Sequence, residues 1–377
     1  MALDKQDKVL NVPTLRFPEF TDKWKECELQ DVASISKGSG ISKDQLSDTG
    51  EPCILYGELY TKYKSEVITD VLSKTNIDTA NLVRSKANDV IIPSSGETAI
   101  DISTARCVPF DNILLGGDLN ILRLREQDGR FFSYQLNGVR KLNIAQIAQG
   151  VSVVHLYGES LKRLIVRYPS ISEQEKISSL LAAIDERITT QSRIIDKLES
   201  LIRGLEQQLL KPKENWRTYT IGDVLAIGSG KDYKHLSAGD IPVYGTGGYM
   251  LSVNDYLYDG DSVCIGRKGT IDKPLFMKGK FWTVDTLFYT YGFRDILPRY
   301  CYFLFQTINW QKYNEASGVP SLSKDTIERI KIAIPNIDEQ KRICLILDSI
   351  AEKVVIERSI QDQLVEEKNY LLTAMFV

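Results

Sequence analysis

The chain has 377 residues, a formal net charge of −3 and 43% hydrophobic residues, enough for two or three domains with substantial cores. No apolar run approaches transmembrane length, and the charged stretch Met1–Leu10 does not read as a signal peptide. Six scattered cysteines with no CxxC pair, and only two histidines, argue against a disulfide framework or a metal site and point to free thiols in a reducing cytoplasm. The acidic balance excludes a broadly basic surface, so any grip on nucleic acid must come from local clusters or a partner.

In chain order, residues 1–23 are polar, with Pro13 and Pro18 around Leu15-Arg16-Phe17, and read as an arm that needs something to dock on. Residues 24–170 form a first globular domain of short β-branched strands, Gly-rich turns and a few helices, among them Phe131–Lys141. Residues 171–215 carry a long helix. Residues 216–336 repeat the first domain, with a helix over Arg299–Lys312, and residues 337–377 carry a second long helix. The repeat is visible in detail. Trp24-Lys25…Leu29-Gln30-Asp31-Val32…Gly38 matches Trp216-Arg217…Ile221-Gly222-Asp223-Val224…Gly230, and Tyr56-Gly57 is set against Tyr244-Gly245. Asp89–Gly96 matches Ser262–Gly269, Gly117-Asp118-Leu119 echoes Val284-Asp285-Thr286, and Gly150-Val151-Ser152 is set against Gly318-Val319-Pro320.

The clearest copy is the helix start. Pro169-Ser170-Ile171-Ser172-Glu173-Gln174 recurs as Pro335-Asn336-Ile337-Asp338-Glu339-Gln340, 166 positions on. Ser172 with Glu175 reads as a capping box and Asp338 as a lone cap. The first helix then spaces Ile177, Leu181, Ile184, Ile188, Ile195, Leu198, Ile202 and Leu205 in alternating steps of three and four, broken only at Gln191. The second carries Ile343, Leu347, Ile350, Val354, Leu364 and Leu371, broken at Glu357. Its seam slips through Gln361 and Lys368, with Ile356 and Ile360 as an alternative stripe. Such heptads predict a coiled coil. Burying both seams without a partner requires the second helix to fold back antiparallel on the first. The expected fold is therefore α/β (α+β): two repeated globular domains separated by two long helices in an antiparallel coiled coil, with pseudo-two-fold symmetry.

The order of these motifs, from Arg16 to the C-terminus, resembles specificity subunits of type I restriction–modification systems. The resemblance implies two target-recognition domains that each read one half of a bipartite double-stranded DNA target, with helices that set the spacing. It also implies two modification (methyltransferase) subunits seated on the chain and two ATP-dependent restriction subunits in the full complex. S-adenosylmethionine, ATP and Mg2+ would enter through those partners, and this chain would bind no cofactor. The arm before Trp24 departs from the pattern.

Missing chemistry agrees with a reader that does not catalyse. No Asn/Asp-Pro-Pro-aromatic site for amino-group methylation occurs, and Gly228-Ser229-Gly230-Lys231-Asp232 lacks the first Gly and the hydroxyl of a phosphate-binding loop. His155 and His235 stand alone. Contact with DNA needs loops carrying cationic, hydroxyl and amide groups. The candidates in the first domain are Lys37, Ser39, Tyr56, Glu58, Tyr60, Lys62, Ser94 and Ser95. Those in the second are Lys231, Tyr233, Lys234, Tyr244, Thr246, Arg267 and Lys268. Plain turns remain the alternative for each loop, and core packing for Tyr56 and Tyr244. Two other functional classes stay open: a coiled-coil adaptor with two protein-binding domains and no DNA contact, and a self-contained enzyme.

Overall fold

The computed structural model describes residues 12–377, so the first part of the arm, residues 1–11, lies outside the described residues. Two compact units are present. One comprises the residues up to Ser192 together with Ile360–Val377, the other Arg193–Ser359.

The first unit is built on a four-stranded antiparallel sheet in the order Ala33–Lys37, Leu119–Leu124, Asp89–Pro93, Arg106–Val108. Asp89–Pro93 is buried along its whole length, so Val90-Ile91-Ile92 is a continuous apolar run instead of an alternating one. Beside it lies a second sheet in which Glu51–Ile54 runs parallel to Leu114–Leu115. A ribbon of Lys25–Glu28 and Ile165–Tyr168 ties the start of the domain to its end. The second unit repeats this plan. Its sheet order is Ala226–Ser229, Leu287–Tyr291, Ser262–Gly266, Leu275–Met277. Its parallel pair is Ala238–Gly245 with Lys280–Thr283, and its ribbon is Arg217–Thr220 with Lys331–Ile334.

The long helices span Ile171–Leu209 and Ile337–Ala374. Both begin before the expected caps. Asn336 caps the second, accepting the Glu339 N–H at 2.9 Å, and Ser170 plays the corresponding part through its carbonyl, so Ser172 and Asp338 lie inside the first turns. The repeated Glu-Gln has a structural purpose. Gln174 and Gln340 are fully buried. Each donates to the carbonyl of its motif proline, at 2.9 and 3.0 Å. Each also accepts the backbone N–H of the residue that starts a core helix, Asp128 at 3.1 Å and Leu297 at 2.8 Å. One amide thus welds the long helix, the preceding strand and a core helix together in either unit.

Within each unit the helices run antiparallel. In the first unit Gln361 donates to Ser192 at 2.5 Å and Lys368 to Asp185 at 2.5 Å. In the second Arg358 pairs with Glu199, and Glu339 in the first turn of the second helix meets Lys213, just past the end of the first helix, at 2.7 Å. Ile177, Leu181, Ile184, Ile195, Ile343, Leu347, Val354, Leu364 and Leu371 are buried, while Ile188, Leu198, Ile202, Leu205 and Ile350 are half-buried. The alternative stripe is not used. Ile356 and Ile360 are exposed, and the seam runs through Gln361 and a buried Lys368. Lys368 sits between Asp185 and Glu66, and Tyr134 donates to Asp185 at 2.7 Å. A polar cluster that links the seam to the domain core replaces an apolar layer there.

The described part of the arm docks on the first unit. The Leu15 N–H donates to the Ala374 carbonyl at 2.9 Å, and Phe17 packs on the core. The Arg16 guanidinium forks onto Glu173, with both bonds at 2.7 Å, and Trp24 donates to the same carboxylate at 3.3 Å. In the second unit Lys213 meets Glu339, the counterpart of Glu173, and lies over the Trp216 ring.

Candidate nucleic-acid interface

Strand pairing sets the loops, and it corrects the repeat alignment. Cys53 faces Leu114 as Val243 faces Trp282, so Ile54 is the counterpart of Tyr244, and Tyr56 that of Thr246. Leu119 pairs with Pro93 as Leu287 pairs with Gly266, which makes Asp118 the counterpart of Thr286. The similar Tyr-Gly and Asp-containing strings fall one or two residues out of structural register.

On this frame the loops converge in the same way in both units. The N–H of Gly38 donates to Leu119 and that of Gly230 to Leu287, both at 3.0 Å. Here only glycine fits, since a Cβ on Gly38 would stand 2.0 Å from the Gly116 carbonyl oxygen, and one on Gly230 1.9 Å from that of Val284. Ser39 N–H donates to Leu115 and Lys231 N–H to Thr283, while Ser94 N–H donates to Asp118 and Arg267 N–H to Thr286. These matched bonds bring together the turn after the edge strand, the segment leading into the neighbouring central strand and the turn after the other central strand. One backbone frame therefore carries two different sets of side chains.

In the first unit, Lys37 is exposed at a strand end. Tyr56 and Tyr60 are half-buried, and burial pushes the Tyr60 hydroxyl above its usual range, leaving it a neutral hydrogen-bonding group. Tyr56, Lys62 and Asp118 border a cleft of about 690 Å³ with Ile41, Lys43 and Gly57. Ser39 is half-buried, and its hydroxyl accepts the Val83 N–H at 2.7 Å. Three expected contacts are withdrawn from the surface. Glu58 is buried and accepts the Leu55 N–H at 2.9 Å, the Lys62 ammonium at 2.6 Å and the Ser73 hydroxyl. Ser94 and Ser95 are buried, and Ser95 lies in a strand pair with His155. Lys62 retains a half-exposed side chain, with its ammonium held by Glu58 at 2.6 Å and Ser73 at 3.1 Å.

In the second unit Lys231, Lys234, Arg267 and Lys268 are exposed. Lys231 is fixed through its backbone, its carbonyl accepting Trp282 Nε1 at 2.8 Å, which leaves the ammonium free to reach outward. Tyr233 is half-buried against Val243, Val253 and Trp282. Tyr244 packs edge-on to Tyr249, with ring centroids 6.2 Å apart. The Thr246 hydroxyl lies beside the Arg267–Gly269 turn, 3.6 Å from where a Gly269 Cβ would stand. Arg267 is loosely held, by a 3.4 Å bond to the Asp285 carbonyl and by the Phe288 ring. Thr246, Arg267 and Lys268 thus form one group, with Lys231 on the adjoining loop.

The sequence reading missed the loop that closes each cluster. Val154-His155 pairs with Ser95-Gly96, and the Gly269 N–H donates to the Pro320 carbonyl at 2.9 Å. Its signal was the Gly-Val string repeated in both halves. No group of side chains among the described residues could hold a metal ion, and no described helix is long and apolar enough to cross a membrane. All six cysteines are free. Burial pushes the Cys107 and Cys264 thiols up to about 12, which keeps them protonated and poor nucleophiles.

A fold made twice, each copy with its own loop cluster and joined to paired helices, defines a duplicated recognition scaffold. The sequence pattern of the family described as "Type I restriction modification DNA specificity domain" matches residues 21–200 and again 213–366. The chain belongs to this family. Among curated proteins, an Escherichia coli type I restriction enzyme EcoprrI specificity subunit is 26% identical over 155 residues, which is 37% of this chain and 38% of that protein. The chain thus matches well under half of that relative's length. Among solved structures, the type I restriction–modification S subunit from M. genitalium shares the fold with a TM-score of 0.69 at 17% identity, covering 97% of this chain and 99% of that one. A chain from a study of assembly and conformational transition in a type I R-M system matches with a TM-score of 0.58 at 14% identity, covering 94% and 97%.

Proposed function

We propose that the chain is the non-catalytic DNA-reading subunit of a type I restriction–modification complex in the cytoplasm. Residues 24–170 and 216–336 are its two recognition domains, each reading one half of a bipartite duplex target. The helical stretches 171–215 and 337–377 set the unread gap and seat two methyltransferase subunits, with two restriction subunits joining the full complex. S-adenosylmethionine, ATP and Mg2+ enter through those partners. The observation that carries this reading is the matched hydrogen-bond frame beneath two different loop sets, in a chain whose two halves both match the specificity-domain family. One scaffold bearing two side-chain sets suits two different half-sites.

Exposed apolar residues support the methyltransferase seat. Leu345, Val355 and Ile356 on the second helix are 73, 67 and 59% exposed, and its own seam does not bury them. The test is a band-shift of the chain, alone and co-expressed with its methyltransferase, against random-sequence competitor. Competitor-resistant binding that strengthens with the partner supports the reading. Partner binding with no DNA shift would instead identify a protein adaptor.

A further inference from the structure

Val153 and Val319 are structural counterparts, although the sequence alone sets Val319 against Val151. Leu156 N–H donates to the Ser94 carbonyl and Leu322 N–H to the Arg267 carbonyl, both at 2.9 Å. Gln149 N–H donates to His155 at 2.9 Å, and Glu315 N–H to Ser321 at 3.0 Å. These bonds fix one spacing between the copies and align the two valines. Both side chains are well exposed, 53% for Val153 and 64% for Val319. Each borders the turn that carries the polar candidates: the residue after Val153 pairs with Gly96, and the residue after Val319 accepts the Gly269 N–H.

A single exposed valine is ordinary on a protein surface. Its recurrence at matched points of two dissimilar loops is not explained by packing, because neither valine belongs to the core of its unit. The loops themselves are held by backbone bonds, so each valine is presented at a fixed place beside hydroxyl and cationic groups.

We infer that Val153 and Val319 read the 5-methyl group of thymine in the major groove, one in each half-site. This rests on the DNA-reading function proposed above. Among base edges, the thymine methyl is the apolar feature that a side chain can recognise. The side chains that wedge between stacked bases are Phe, Leu, Ile, Met and Pro, and valine is not among them. The branched, short valine side chain covers a methyl group but does not reach into the stack. Val151, 97% exposed, gives the first unit a broader apolar tip, where the second has Ser317 at the matching position.

The test uses the chain in complex with its methyltransferase. Binding sites are first selected from a random duplex library. Each thymine of the selected half-sites is then replaced singly by deoxyuridine, which lacks the 5-methyl group. Competition binding compares the natural chain with Val153→Ser and Val319→Ser, exposed substitutions that leave both cores intact and remove both methyl groups. Loss of one methyl contact should weaken binding about fourfold. The natural chain should pay this penalty at one thymine in each half-site. Val153→Ser should remove the penalty in one half only, and Val319→Ser in the other only. Half-sites without thymine, tolerance of every uracil, or penalties that persist in both variants would each overturn the valine assignment while leaving DNA reading in place. Selection of no sequence at all by the natural complex would overturn both.

Discussion

Lys368→Met keeps most of the apolar stem of the side chain and removes the ammonium between Glu66 and Asp185. The side chains of Lys368, Glu66 and Asp185 are 11, 9 and 10% exposed. Arg106, buried nearby, donates to the carbonyls of Leu59 and Tyr63 and lies within electrostatic reach of Glu66 and Asp185, and Lys141 lies within reach of Glu66. The substitution removes the one ammonium that is hydrogen-bonded to both carboxylates. Removing one partner of a buried pair costs ~3–5 kcal/mol. Burial already pushes the Asp185 carboxyl above its usual range, against the pull of Lys368. In the variant it takes up a proton more readily, so the lower end, ~3 kcal/mol, is expected. At ~1.4 kcal/mol per decade this amounts to roughly a hundredfold increase in local opening. Hydrogen exchange read by mass spectrometry measures it directly. Peptides covering residues 58–68 and 360–377 should lose about two decades of protection, while Ser262–Gly266 in the other unit should not change. Adding Asp185→Asn should restore much of the loss. Unchanged exchange near residue 368, or an equal loss in both units, would refute a local buried-charge role.

The other expectations concern the loops, the helices and pH. Glu58→Ala should destabilise the first unit by ~1–3 kcal/mol in urea melts, because the Leu55 N–H and the Ser73 O–H lose their acceptor, and should leave the base preference of the complex unchanged. Arg267→Ala should cost ~1–3 kcal/mol in binding and relax one base position, whereas Lys268→Ala should weaken all sequences alike and lower the salt slope by about one. One heptad inserted after Leu198, with a matching heptad in the second helix, adds ~10 Å of helix and should lengthen the gap by about three base pairs without changing the half-sites. An unchanged gap in sites selected by that variant would sink the helix ruler. Two carboxyls should act oppositely on stability against pH. Hydroxyl donors from Thr326 and Ser323 hold Glu315 below its usual 4.5, so its contribution is present above that value and is lost as pH falls through the lowered pKa. Asp185 is raised by burial, so its contribution is present below the usual 3.8 and is lost as pH rises through the raised pKa. Urea melts of Glu315→Gln and Asp185→Asn across pH 3–7 should each flatten one of these slopes.

Much of the architecture could be read from residue order because it rests on local periodicity. Steps of three and four from Ile177 to Leu205 lead to a buried or half-buried stripe, and the two Pro…Glu-Gln strings start helices at matched places. What escaped was set by distant partners. The choice of Lys368 over Ile360 depends on Glu66, 302 positions away. The withdrawal of Glu58, in a short helix, depends on Ser73 from the strand Ser73–Thr75. Pairing Tyr56 with Tyr244 followed a shared dipeptide, while the true register follows Cys53 opposite Leu114 and Val243 opposite Trp282. Exposed, single-residue features such as Val153 and Val319 leave no periodic trace, and only the backbone bonds beside them reveal that they correspond.

The most direct test is selection of binding sites from a random duplex library by the complex of this chain with its methyltransferase. It is run on the natural chain and on a variant with Lys231, Arg267 and Lys268 changed to Ala. The natural chain should select a bipartite site with a fixed gap. The variant should keep the gap and one half-site while the other half blurs. Blurring of both halves together, or selection of no sequence by the natural complex, would contradict independent reading by two units.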